Sequence, residues 1–147
     1  MGVTMADHFY SSRVEVIDLM RQKGISPTRQ RVEIAQAMFL KPQHVCADQV
    51  LSLVNKQRHS VSKATVYNTL GLFARKGLVR EVIVDPSKVF YDTTTTPHHH
   101  FYNVDTGELL DVNADAMLLG ELPILPEGTV AESVDVVIKI RNSAVIN

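Results

Sequence analysis

The spacing of apolar residues changes character at Gly77. Before it they recur at helical intervals; beyond it they gather into short runs rich in β-branched and aromatic side chains. A chain that switches period in this way divides into a helical part and a strand-rich part, which selects an α+β class. Phe9 to Lys23 sets Val14, Ile17, Leu19 and Met20 near helical spacing, with Gly24 placed as a C-terminal cap glycine. Ser26 reads as the N-cap of a second helix, with Pro27 at its first position and a stripe of Val32, Ile34, Ala35, Met38 and Phe39 that Pro42 stops. A third helix is expected from Ala47 to about Gln57. A fourth begins after Ser62, with Val66, Leu70 and Phe73 at i, i+4 and i+7.

That last stripe leaves Lys63, Thr65, Tyr67, Asn68 and Arg75 off the core. Leu78–Val84 and Lys88–Tyr91, parted by Asp85-Pro86-Ser87, then read as a hairpin. Helices followed directly by a hairpin, with a polar outer face on the last helix, form the pattern of a winged helix-turn-helix. Past the polar linker Thr93–Pro97, His98–Val104 and Glu108–Val112 flank the turn Asp105-Thr106-Gly107. Ala114 to Leu119 suggests a short helix, and Val134 to Arg141 alternates as a third strand. An edge strand this apolar invites pairing with a second copy, so a homodimer is expected.

Charge divides the chain at nearly the same place. Residues up to Lys88 carry 13 Lys and Arg against 7 Asp and Glu, whereas those beyond carry 2 against 9, so a net charge of −1 hides a basic and an acidic half. A basic helical half suits a polyanion and an acidic half suits cations. No stretch approaches the roughly 20 apolar residues of a membrane span, and the N-terminus lacks the pattern of a secretory signal, so no membrane partner and a cytoplasmic location are expected. The single cysteine, Cys46, excludes both an intramolecular disulfide and a CxxC pair.

The chemistry centres on His98-His99-His100. On an extended chain His98 and His100 share one face and His99 takes the other. Asp92 lies beyond the linker, Asp111 on the strand paired through the hairpin, and His44 in what reads as a turn, Gln43-His44-Val45, between the second and third helices. Three imidazoles and two carboxylates suit Fe²⁺ or Mn²⁺ and would also accept Zn²⁺ or Co²⁺. Two histidines and a carboxylate also describe the open triad of a small non-haem iron enzyme, and a metal buffer without DNA binding is a third reading. The acidic half is short for the usual double-sheet barrel of such enzymes, and the basic helical half would then have no use.

Taken together, Ser26-Pro27-Thr28-Arg29-Gln30-Arg31, His44-Val45-Cys46-Ala47-Asp48, Ala64-Thr65-Val66-Tyr67-Asn68-Thr69-Leu70, Tyr91-Asp92 and the histidine run resemble the ferric uptake regulator superfamily over essentially the whole chain. The run His-His-His-Phe-Tyr, the Leu-Pro-x-x-Pro-Glu-Gly stretch of 122–128 and the ending Val-Asp-Val-Val-Ile-Lys-Ile-Arg most resemble its iron response regulator branch. The resemblance implies a dimeric repressor of iron homeostasis that binds a double-stranded DNA operator. Its winged-helix domain would span residues 1–92, and a small C-terminal α/β dimerisation and metal-sensing domain residues 93–147. It implies His44, Asp92, His98, His100 and Asp111 as the regulatory metal ligands at the domain hinge. Tyr67 and Asn68 fall at base-facing positions, with Lys63 and Thr65 beside them and Arg29 or Arg31 standing in for a minor-groove residue that Ser26 replaces. Manganese- and peroxide-responsive regulators belong to the same superfamily and are the alternative.

Departures from the pattern are informative. Asn103 and Thr106 occupy the positions of the first CxxC pair of a structural zinc, so no structural zinc is expected. The second histidine–carboxylate site is degraded at Pro97, Leu118 and Glu132-Ser133. The Cys-Pro haem motif of the iron response branch is missing, because Ala47 follows Cys46, which leaves His98, His99 and His100 as the haem contacts the resemblance offers.

Overall fold

The computed structural model describes residues 12–56, 61–117 and 119–144. The expected start of the first helix at Phe9, the end of the third at Gln57, His8, His59 and Leu118 lie outside the described residues. The chain divides into two compact units between Thr96 and Pro97.

The first unit opens with four helices, α1 (Arg13–Gln22), α2 (Arg29–Phe39), α3 (Ala47–Val54) and α4 (Lys63–Arg75). Three begin on a hydroxyl that accepts an otherwise orphaned backbone N–H: Ser12 from Glu15, Thr28 from Arg31 and Ser62 from Thr65. The second helix therefore starts two residues later than its sequence suggests, with Thr28 rather than Ser26 as its cap. At α3 the Cys46 N–H instead donates to Gln49 Oε1 at 2.9 Å. Asn55 grips Val61 from both sides, donating to its carbonyl at 2.7 Å and accepting its N–H at 3.1 Å, which ties the end of α3 to the approach of α4.

The helices close on one apolar core, with Val16, Leu19 and Met20 from α1, Val32, Ala35 and Met38 from α2, Val50 from α3, and Val66, Leu70 and Phe73 from α4. Leu78 and Val79 follow α4 into that core after Gly77, whose φ of 76° makes the helix-ending turn that a side chain would strain.

The expected hairpin is present as β2 (Arg80–Asp85) and β3 (Lys88–Asp92), but it is joined by a strand that the sequence does not announce. His44–Cys46 forms β1, so the sheet runs β1-β3-β2, antiparallel throughout. The segment read as a turn is a strand because Gln43 fixes its start. The Gln43 side chain donates to the Ala37 and Met38 carbonyls at the end of α2, and its backbone exchanges hydrogen bonds with Thr93. Alternation then sends Val45 and Tyr91 to the helical core and leaves His44, Cys46, Phe90 and Asp92 on the other face.

The second unit is a sheet of order β5-β4-β6, from β4 (His100–Asn103), β5 (Leu109–Asp111) and β6 (Val137–Ile140). β4 and β5 form an antiparallel hairpin turned at Gly107, φ 74°. β6 is shorter than the alternation over 134–141 suggests, and it pairs parallel to β4. Among the described residues, the crossover between β5 and β6 holds one 3-10 turn, Ala114–Ala116, in place of the longer helix expected to Leu119. Pro123 and Pro126 deny it helical hydrogen bonds, and Leu122, Ile124, Leu125 and Val130 along it are exposed.

Candidate metal centre

In the second unit, His98 and His100 turn toward one carboxylate. The register sets His100 directly opposite Asp111 across β4 and β5. His98 precedes the strand itself, yet the extended chain brings it to the same side, with the two imidazole centroids 4.4 Å apart. Both Nε2 atoms lie 3.3 Å from the same Oδ1 of Asp111. Donors held about 2.1 Å from a common ion at 90° to 109° are themselves about 3.0–3.4 Å apart, so this spacing fits two imidazoles and a carboxylate sharing one divalent ion. The His98 and His100 side chains are 12% and 3% exposed and that of Asp111 59%. The nitrogens are thus held by packing, and the carboxylate reaches in from a solvated edge.

His99 does something else. Its Nδ1 accepts the backbone N–H of Val136 at 3.1 Å, so the ring proton of the neutral imidazole sits on Nε2. Its backbone carbonyl accepts from Val112. This histidine therefore latches the approach to β6 onto the sheet, and it lines a pocket of about 330 Å³ with Pro97, His98, Val112, Asn113, Met117, Leu119 and Val134. The three imidazoles offer no common face to a haem, and that reading finds no support.

The remaining candidate ligands belong to the first unit. His44 and Asp92 are directly opposed partners of β1 and β3, a placement that puts their Cβ atoms about 4.5–5.5 Å apart. Phe90 stands edge-on to the His44 ring at 6.5 Å, and Asp92, 2% exposed, accepts the Thr94 N–H on Oδ1 at 2.9 Å. Buried carboxylates need such donors or a cation. Gln43 and Thr93, which set this strand pair, read in the sequence as a turn residue and a linker residue, and the signal for more is a hydrogen-bonding side chain beside a histidine.

On α4, Lys63, Tyr67 and Asn68 are exposed while Thr65 is half-buried. Lys63 Nζ lies 3.3 Å from Asp48 and 5.8 Å from the Tyr67 ring centre. Thr65, Asn68 and Thr69 share a polar pocket of about 320 Å³ with Thr28, Gln30 and Arg31, where the first turns of α2 and α4 meet. The two arginines are partly engaged: Arg29 pairs with Glu33 at 3.2 Å, and Arg31 donates to the Ser26 carbonyl at 3.0 Å.

Comparison with known proteins places these features in context. Residues 22–136 match the model of the ferric uptake regulator family. The chain is 31% identical over 97 residues to the peroxide-responsive repressor PerR of Staphylococcus aureus (strain Mu50 / ATCC 700699), an alignment that spans 66% of each protein. Among solved structures, the Vibrio cholerae ferric uptake regulator superposes with a TM-score of 0.67 at 18% identity, over 86% of this chain and 99% of that one. The Pseudomonas aeruginosa ferric uptake regulator with manganese gives 0.63 at 24%, over 85% and 96%.

Proposed function

The chain belongs to the ferric uptake regulator family, and from that membership we propose that it is a homodimeric DNA-binding repressor of metal homeostasis whose operator affinity responds to divalent metal. The convergence of His98 and His100 on one oxygen of Asp111 carries this reading. These three residues would hold Fe²⁺ or Mn²⁺, and Asp92 and His44 would supply the further oxygen and nitrogen such an ion takes. The similar Pseudomonas aeruginosa regulator was solved with manganese.

The DNA-binding part follows from the first unit. α4 presents Lys63, Tyr67 and Asn68 outward on a capped helix anchored by Val66, Leu70 and Phe73, as entry into a major groove about 12 Å wide requires. Thr65, with Arg29 and Arg31 at the α2 edge, would contact phosphates. Because His44 and Asp92 belong to the winged-helix unit and the other three donors to the second, ligation by all five would couple metal occupancy to the placement of α4. A coupling of about 1–3 kcal/mol changes affinity roughly 5- to 150-fold. The exposed apolar residues of the crossover would be covered by the second copy.

The test is a mobility-shift titration of a chain carrying both His98→Ala and His100→Ala. It should bind operator with the same affinity in chelator and in Mn²⁺, while the unaltered chain responds. An unchanged metal response in the double variant would remove these residues from the site.

A second reading, a peroxide-responsive regulator, is favoured by the similarity to the Staphylococcus repressor. It predicts that hydrogen peroxide treatment of the Fe²⁺-loaded protein alters operator binding, whereas a regulator of metal supply alone would not respond. The iron response branch, suggested by the histidine run and the chain's ending, predicts instead a response to iron supply. The cluster of His98, His100 and Asp111 would also serve a small iron enzyme or a metal buffer, but neither reading has a use for the outward face of α4, and the family match favours the regulator.

A further inference from the structure

The superfamily resemblance brings with it a structural zinc held by paired cysteines, and the residues here do not fit one. Asn103 and Thr106 stand where the first pair would be, and the chain's single cysteine, Cys46, lies in the other unit. A carboxamide and a hydroxyl are poor exchange for two thiolates. The same positions are nevertheless highly ordered by hydrogen bonds. Asn103 Oδ1 accepts the N–H groups of Asp105 at 2.9 Å and Thr106 at 3.2 Å, and Thr106 Oγ1 accepts that of Glu108 at 3.3 Å.

From this turn two side chains reach across the sheet to a residue 37 to 39 positions away. Asn103 Nδ2 donates to Asn142 Oδ1 at 2.8 Å, and Asp105 Oδ2 accepts the Asn142 backbone N–H at 2.8 Å. The Val104 N–H adds a bond to the Ile140 carbonyl at 2.8 Å. We propose that Asn103, Asp105 and Asn142 form a metal-free clasp that takes the place of the zinc, fastening the β4–β5 turn to the chain leaving β6. The need is plain from the crossover. Among the described residues between β5 and β6 the one regular element is the 3-10 turn, and the last strand is held by its ladder to β4, by His99 at its beginning and by the clasp at its end. The Asp105 contact is charge-assisted, the stronger kind of hydrogen bond.

The inference is independent of the regulatory site, and its test keeps the two apart. In the full chain, Asp105→Ala should lower the hydrogen-exchange protection of the Asn142 and Val104 amides at least tenfold while the amides of α4 keep theirs, and Asn103→Ala should do the same. In the His98→Ala, His100→Ala background, where the proposed regulatory ligands are gone, a zinc chelator should leave the unfolding midpoint unchanged. Undiminished protection in Asp105→Ala would overturn the clasp. So would unfolding of the second unit by chelator in that background, because a zinc would then be holding it.

Discussion

Asp111 offers one oxygen to two imidazoles, and a substitution that keeps its shape but not its charge isolates what the carboxylate contributes. Asp111→Asn should weaken Mn²⁺ binding by at least the 10- to 100-fold that removal of outer-shell partners costs at metal sites, measured by calorimetry. A second residue, Tyr91, reports on burial. Its phenol is raised above the ordinary value of 10.0, first by burial and then by the nearby Glu81 and Tyr67. The folded chain therefore holds this proton more tightly than the unfolded chain does. Its contribution to stability is complete below about pH 10 and is lost as pH rises through the folded value. Urea midpoints at pH 9 and pH 11 should fall less steeply in Tyr91→Phe than in the unaltered chain. Legibility at this scale was uneven. His98, His100 and Asp111 stand out by alternation and hairpin pairing alone, whereas His44 looked like a turn residue because nothing local marks it as strand.

Among the elements, the helices are readable from their apolar periods, whereas of their N-terminal caps only Ser62 of α4 stands where the sequence suggests; α2 is capped by Thr28 instead of Ser26, and α1 by Ser12, within the stretch expected to be helical. α4 is the clearest instance. Its stripe of Val66, Leu70 and Phe73 lies fully buried while Tyr67 and Asn68 stay outside. Phe73→Ala should cost about 3–5 kcal/mol of stability, by chemical denaturation, because the ring is enclosed on all sides. The strands depend on partners, and there the sequence said less. β1 is three residues long and exists through Gln43, which spans from the end of α2 to Thr93. β6 alternates visibly, but its direction against β4 is a property of the crossover, which no period encodes.

For the whole molecule, the switch of period at Gly77 and the division of charge near Lys88 suggest a helical basic part and a strand-rich acidic one, but both fall inside the first unit, which carries a three-stranded sheet beside its helices. The compact units themselves divide at Thr96 and Pro97. What a single chain could not make legible is the reason for its apolar crossover. Ile124 is fully exposed, and Val130 is nearly so. If a second copy covers them, Ile124→Asp should shift the sedimentation profile from dimer toward monomer at micromolar concentration without lowering helix content.

The central claim is that ligands from the winged-helix unit and from the second unit serve one metal ion. His44→Ala tests it most directly, because His44 belongs to the DNA-binding unit yet stands on β1 rather than on α4, the helix proposed to meet DNA. Operator affinity measured in chelator should match that of the unaltered chain, and the roughly 5- to 150-fold response to Mn²⁺ should be lost. A His44→Ala protein that keeps the full metal response would contradict the account.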